Sequence, residues 1–293
     1  VYIRLGETDD AIEIYKRACG TDAQLAYIYG NIAEELKNKA MKTHLDRLYS
    51  IAAKVNFNSA HYFTRLGVIF FYQGKYYEAI KQYKKSIKID PEFKSAYNNL
   101  GSVFNNQGKY DEAVEQLHIS LKIDPEYKYA YKNLGISMRG LGKYEKAVQY
   151  LKKALAIDPE FIKAKAALAV TYLVARDLGD ALDLSHDLLK EKELPPDKIL
   201  AMRTVTFVSD LLQNKRDSAL EEINKLLTYY KSLDKYNPYE WSCYDLKHSL
   251  KDNKQLSTEQ IRLISALIEI LEAPKSEGDG KVEGFEALIE KTL

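Results

Sequence analysis

Between residues 60 and 161, apolar side chains recur at the spacing of amphipathic helices, and the whole pattern returns every 34 residues. In the unit that starts at residue 94, Tyr97, Leu100 and Phe104 lie at i, i+3 and i+7 and form one apolar stripe. A second stripe starts at Tyr110 and continues through Leu117. Each unit is therefore predicted to be a pair of helices that pack against each other as a hairpin.

Glycine, aspartate and proline mark the ends of these predicted helices. Gly108 is expected to end the first helix, because glycine adopts the left-handed C-terminal conformation at little cost. Gly101 lies inside the first stripe and is expected to allow close approach of a neighbouring helix. Asp124 is a candidate N-cap with Pro125 at the first helical position, so each Asp-Pro-Glu is predicted to end one hairpin and start the next.

A single hairpin of this kind cannot bury both of its apolar faces, so several units must stack. The 34-residue length, together with the aromatic-Leu-Gly-aromatic run and the later Ala and Pro, resembles the tetratricopeptide repeat family. The resemblance implies an all-α fold, a right-handed alpha-alpha superhelix or solenoid, with a C-terminal helical cap. It also implies a protein-binding role.

The resemblance is strongest in three consecutive units and weakens on both sides of them. Residues 26–59 and 162–196 are interpreted as degenerate repeats, because some of the in-phase apolar positions remain while turn residues are lost. Residues 1–25 are interpreted as a truncated first repeat of a longer array. The three complete repeats are predicted at residues 60–93, 94–127 and 128–161.

The last third of the chain keeps helical patterning but loses the 34-residue period. A repeat-like hairpin is predicted at residues 197–213 and 217–232, followed by helices at 237–250 and from Ser257 to Leu271. Residues 273–284, rich in glycine and charge, are predicted to be a flexible loop before a short final helix. We expect residues 197–293 to cap the array; the alternatives are self-association and covering of the groove.

In the first helix of each unit, positions 2, 5, 6, 9, 12 and 13 point away from the packing stripe. In the related family this face lines a concave groove. Position 6 holds Asn31, Arg65, Asn99 and Asn133, and a side-chain amide can both donate to and accept from the backbone of an extended peptide. This row resembles the asparagines that line O-GlcNAc transferase-type superhelices. The predicted partner-binding residues are Asn31, Arg65, Tyr72, Asn98, Asn99, Ser102, Asn106, Tyr129, Lys132, Asn133 and Arg139.

A second use of the family, the clamping of a chaperone's C-terminal carboxylate, requires lysine, arginine and asparagine at defined positions. Asn99 fits that pattern, but Thr64, Val68, Tyr129 and Asn133 occupy the other places. A typical chaperone carboxylate clamp is therefore disfavoured.

Charge and apolar content exclude some classes of partner. The net charge is +1, so no global field favours nucleic acid. Residues 60–161 carry 16 basic and 11 acidic side chains, which indicates either solvated outer faces or an acidic partner. The apolar runs are too short for a membrane span, and Cys19 and Cys243 show no metal-ligand or disulfide spacing. These features favour a cytoplasmic location.

The five histidines are scattered and match no catalytic, metal-binding or phosphate-binding motif. We therefore predict no catalytic residues, no metal and no cofactor. The leading hypothesis is a non-enzymatic adaptor or scaffold that binds an extended peptide or a helix of a partner protein. The alternatives are a recruiting domain of a larger enzyme or of a secretion or assembly complex, and a self-associating scaffold; a monomer is favoured.

Overall fold

The computed structural model describes residues 60–72, 74–233, 256–273 and 275–293. The repeats expected within residues 1–59 and the helix expected at 237–250 lie outside this range. The described residues form twelve α-helices and confirm the predicted all-α class. These helices are α1 Ala60–Tyr72, α2 Tyr76–Ile89, α3 Lys94–Asn106, α4 Tyr110–Ile123, α5 Lys128–Gly140, α6 Tyr144–Ile157, α7 Ile162–Ala175, α8 Leu178–Leu189, α9 Pro196–Leu212, α10 Arg216–Ser232, α11 Thr258–Glu272 and α12 Lys275–Thr292.

The chain divides into two compact units. Unit 1 comprises Val1–Val103 and His118–Pro125, and unit 2 comprises Phe104–Leu117 and Glu126–Leu293. The boundary therefore passes through α3 and α4, which contribute residues to both units.

In unit 1, α1 and α2 form a tight helical hairpin. A Cβ placed on Gly67 would lie 2.5 Å from the ring of Tyr83, so only glycine fits this position without a shift of the ring. At the open end of the hairpin, the Ser86 hydroxyl donates to the Ala60 carbonyl at 2.7 Å. The Thr64 hydroxyl donates in turn to Ser86 Oγ at 2.7 Å. Thr64 is buried as a result, and this side chain joins the two helices.

The turns between paired helices use the left-handed backbone conformation, as predicted. Gly74, Gly108 and Gly142 have φ angles of 72°, 72° and 71°. At Gly108 the following amide, Lys109 N–H, donates to the Phe104 carbonyl at 2.9 Å and closes the end of α3. At the corresponding place in the next repeat, Arg176 adopts a φ of 72° although it carries a side chain.

The prediction that each Asp-Pro-Glu caps the start of a helix is wrong. Asp90 and Asp158 are the C-cap residues of α2 and α6, with extended backbone conformations. Proline explains this, because it disfavours the α conformation in the residue before it. The Asp158 carboxylate accepts from the Glu160 amide at 3.1 Å, which builds a turn. The next helix, α7, begins only at Ile162.

In unit 2, one continuous apolar core runs from Leu151 to Ile289. It includes buried side chains of α6 through α12. Glycine again permits close contact: a Cβ on Gly135 would lie 2.5 Å from Leu151 Cγ, and one on Gly140 would meet the Tyr110 ring at 2.2 Å. Buried side chains of successive hairpins in unit 2 therefore belong to one shared apolar core.

The C-terminal hairpin α11–α12 packs on α9 and α10 and forms the predicted helical cap. Ser257 begins α11 with a reciprocal capping box to Gln260. Lys231 on α10 pairs with Glu286 on α12, with Nζ and Oε1 2.6 Å apart. The Arg216 guanidinium donates to the carbonyl of Leu293 at 3.0 Å and so holds the residue after α12 against the start of α10.

The flexible loop predicted at residues 273–284 is wrong, because α12 is continuous from Lys275 to Thr292. Val282, Phe285 and Ile289 recur at helical spacing along one face, and all three are buried in the core. Gly278 lies against Tyr230, where a Cβ would come within 2.1 Å of the phenolic oxygen. Burial of the apolar stripe therefore outweighs the low helix propensity of the glycines.

Candidate protein-binding face

The candidate surface is the first-helix face, defined as positions 2, 5, 6, 9, 12 and 13 of α1, α3, α5 and α7, and it is described for each unit by itself. In unit 1 this face includes Arg65, Asn99 and Ser102, which are all partly exposed. Asn98 is buried, with 6% of its surface exposed, and its Nδ2 donates to Asn99 Oδ1 at 3.2 Å. Unit 1 therefore brings the two neighbouring amides together, and Asn99 is the more accessible of the two.

In unit 2 the most exposed aromatic side chain of this face is Tyr129, at 41%. Its ring meets Phe161 edge-on, with centroids 5.2 Å apart, and lies tilted against Tyr127 at 5.3 Å. The same arrangement exists in unit 1, where His61 lies 4.4 Å from Phe93. In these two repeats an aromatic residue before the following first helix supports the ring at position 2: Phe93 supports the ring of His61, and Phe161 supports the ring of Tyr129.

Lys128 places a positive charge beside this aromatic cluster. Its Nζ lies 5.4 Å from the Tyr129 ring centroid and 5.1 Å from that of Phe161, within range of cation–π attraction. Its ammonium also donates to Asp158 Oδ2 at 2.5 Å. That hydrogen bond raises the pKa of Lys128 and lowers the pKa of Asp158. Both groups therefore stay charged at neutral pH.

Asn133, a predicted binding residue, is buried in unit 2 with 4% of its surface exposed. Its backbone carbonyl accepts a hydrogen bond from Asn105 Nδ2 at 3.0 Å. Asn105 Oδ1 accepts in turn from the Ser137 hydroxyl at 2.7 Å. Asn105, at position 12 of α3, therefore joins its own helix to α5.

Arg139, another predicted binding residue, is also buried, at 7% exposure. Its Nη1 donates to the Ala167 carbonyl at 3.2 Å and approaches Thr171 Oγ1 at 3.4 Å. The Thr171 hydroxyl donates to the same carbonyl at 2.7 Å. Arg139, at position 12 of α5, therefore joins this helix to α7.

These two sets of contacts are equivalent, because each residue of the second lies 34 positions after its counterpart in the first. We call the arrangement the position-12 clip: a polar side chain at position 12 reaches the position-6 carbonyl and the position-10 hydroxyl of the next first helix. The sequence prediction did not include Ser137 and Thr171. Their shared register with Asn105 and Arg139 is the signal that identifies them.

The remaining predicted residues differ in how far the structure describes them. Asn106 is exposed and Lys132 is partly exposed, both in unit 2. Asn31 and the side chain of Tyr72 lie outside the described part of the molecule.

Within residues 60–72, 74–233, 256–273 and 275–293, no helix combines the length and the apolar character needed to cross a bilayer. In the same part of the chain, no three His, Cys, Asp or Glu side chains are grouped as a metal site would require.

Three family models match the repeat region. A model described as "TPR repeat" matches residues 67–108. Two models described as "Tetratricopeptide repeat" match residues 94–160 and 138–196. The comparison with curated proteins gives no match.

Solved structures show the same fold. PilW, described as a widely conserved type IV pilus biogenesis factor, is 22% identical with a TM-score of 0.59, and the match covers 72% of this chain and 96% of PilW. PilF of Pseudomonas aeruginosa is 17% identical with a TM-score of 0.55, over 72% of this chain and 95% of PilF. A thermophilic TPR protein of Thermus thermophilus is 21% identical with a TM-score of 0.51, over 59% and 92% of the two chains. Residues 67–196 of this chain match tetratricopeptide-repeat models, and the described part of the chain has the all-α fold of tetratricopeptide-repeat proteins.

Proposed function

We propose that the repeats form a non-enzymatic adaptor or scaffold whose first-helix faces bind an extended segment of a partner protein. The observation that carries the proposal is the partial exposure of hydrogen-bonding and aromatic side chains on these faces. Asn99 and Ser102 in unit 1, and Asn106 and Tyr129 in unit 2, are all accessible to solvent. Packing against the following second helix occupies another side of α1, α5 and α7.

The chemistry of these side chains suits an extended peptide. An accessible amide offers a donor and an acceptor, which match the N–H and C=O of a peptide backbone. An exposed ring that is held by neighbouring rings offers apolar contact area with little loss of side-chain entropy on binding. The proposed location of the adaptor is the cytoplasm.

The proposal is tested with an array of random peptides of about twelve residues, fixed to the support by their C-termini. The wild-type protein selects the binders, and the variants Asn99→Ala and Tyr129→Ala are then compared with it. One lost hydrogen bond or ring contact is expected to weaken binding by about threefold to tenfold.

Matched controls come from the second helices. Asn224→Ala removes an exposed amide from α10, and Tyr77→Ala removes a ring from α2 that is 77% exposed. Both controls are expected to bind like the wild type. Equal binding by all four variants would show that the first-helix faces are not the binding surface.

A further inference from the structure

The first helices of the repeats carry no acidic residue. Helices α1, α3, α5 and α7 contain 13 or 14 residues each and no Asp or Glu. At the chain's overall content of 42 acidic residues in 293, about two would be expected in each helix of that length. The basic residues of these helices are Arg65, Lys94, Lys128, Lys132, Arg139, Lys163 and Lys165.

The acidic residues of the repeats lie instead on the second helices and in the turns. The second helices α2, α4, α6 and α8 each contain at least one Asp or Glu in the first turn. Some second helices are also rich in lysine, so that side carries both signs of charge. The net charge of the chain is only +1. The first helices are therefore positive because acidic residues are absent from them, and not because the protein is basic.

In unit 2 this positive charge borders an apolar surface. Lys132 on α5 and Lys163 on α7 are partly exposed and exposed, respectively. The partly exposed Ile136, Ala167 and Val170 lie at positions 9, 6 and 9 of the same two helices. The clip from Arg139 to the Ala167 carbonyl holds α5 and α7 side by side. We call this combination, with the exposed Tyr129 ring, the α5–α7 surface.

We infer, resting on the proposed function, that the α5–α7 surface binds a partner segment with interspersed acidic and apolar side chains. Carboxylates of the segment complement Lys132 and Lys163, and its apolar side chains cover Ile136, Ala167 and Val170. The recognised groups are side-chain carboxylates and not a chain terminus. The buried Arg139 guanidinium donates to the Ala167 carbonyl and to Thr171, so the charge that faces the segment comes from the partly exposed Lys132 on α5 and the exposed Lys163 on α7.

The test uses the intact protein and the same C-terminally fixed array of peptides, which present no free carboxyl terminus. Wild-type binders are expected to be enriched about twofold in Asp and Glu over the array average. Their affinity is expected to fall steeply between about 50 and about 300 mM salt, because exposed charges are screened.

Charge reversal locates the effect on the α5–α7 surface. The double variant Lys132→Glu/Lys163→Glu is expected to lose about tenfold or more in affinity for the acidic peptides. The neutral variant Lys132→Gln/Lys163→Gln is expected to lose about threefold. The control Lys146→Glu/Lys152→Glu makes the same charge change at two exposed positions of α6 and is expected to bind within about twofold of the wild type.

The outcomes separate this inference from the proposed function. If binders show no acidic enrichment while Tyr129→Ala still weakens them, the inference is wrong and the proposed function stands. If acidic binders are found and both lysine variants bind them like the wild type, the inference is wrong for this surface. Circular dichroism melting curves check that the lysine variants are folded like the wild type. If the glutamate double variant unfolds at a lower temperature than the wild type, the affinity of the glutamine double variant decides the test.

Discussion

At the scale of single residues, glycine positions in this chain serve two different physical purposes. Gly67 and Gly135 make room for a side chain of the paired helix. Gly108 and Gly142 instead supply a positive φ, and a Cβ added to either would meet nothing within 4 Å. Adding a methyl group is therefore unfavourable for two different reasons. At Gly67 or Gly135 the methyl group would collide with a side chain, and at Gly108 or Gly142 it would strain the backbone.

Gly108→Ala isolates the backbone contribution. Alanine at a φ of 72° is expected to lower the free energy of unfolding by about 1 kcal/mol, although no atom is displaced. The measurement is the urea unfolding midpoint followed by circular dichroism.

The matched control is Gly179→Ala, since Gly179 lies in the first turn of α8 and a methyl group added there would also meet no atom within 4 Å. Alanine there is expected to raise stability by up to about 1 kcal/mol, because it is the better helix former. A loss of stability in both variants would contradict the assignment of strain to Gly108.

The sequence predicted the left-handed glycines and the composition of the first-helix face, but not the burial of its members. Thr64 turns inward because the Ser86 hydroxyl is within hydrogen-bonding distance. Arg139 is buried because α7 supplies the acceptors for its guanidinium. These contacts depend on the distance in space between neighbouring helices, and the 34-residue period of the sequence does not determine that distance.

At the scale of helices, the position-12 clip connects successive first helices in unit 2. Asn105 with Ser137, and Arg139 with Thr171, are two versions of the same contact with different side-chain lengths. We expect Arg139→Ala to lower the free energy of unfolding by about 2 kcal/mol, because a buried charged donor and its packing are lost. Arg262→Ala, at an exposed position of α11, is the control and is expected to be nearly neutral.

A swap distinguishes the clip from general packing. The double variant Arg139→Asn/Thr171→Ser reproduces the residues of the preceding repeat and is expected to recover part of the stability that Arg139→Asn alone loses. The measurement is a double-mutant cycle in urea unfolding. Strictly additive effects of the two substitutions would contradict a direct contact between positions 12 and 10.

The helical hairpins themselves followed from the 34-residue period and from the glycine turns. The two errors in the helix ends have local causes. Asp90 and Asp158 combine the preferences of an N-cap with a following proline, and the proline determines that they end helices. Residues 275–284 have the composition of a loop, but the buried stripe through Val282 and Phe285 makes them helical. That stripe joins the apolar core of unit 2, to which side chains from Leu151 onward also belong.

At the scale of the whole molecule, the chain combines tetratricopeptide repeats with a C-terminal hairpin that closes the apolar core of unit 2. The contacts from Arg216 to the carbonyl of Leu293, and from Lys231 to Glu286, attach the last helix to the last repeat-like hairpin. A stacked array exposes an apolar face at its end, and a terminal hairpin covers it.

The proposed function requires a partner segment to lie on the first-helix faces. The most direct measurement is NMR of the intact protein, titrated with a peptide selected on the array. We expect shifts on the first-helix face of at least one unit, of the Asn99 side-chain amide in unit 1 or of the Asn106 amide and the Tyr129 ring in unit 2. The Asn224 amide and the Tyr77 ring on second helices are expected to stay in place. Shifts confined to Asn224 and Tyr77 would contradict the proposed function.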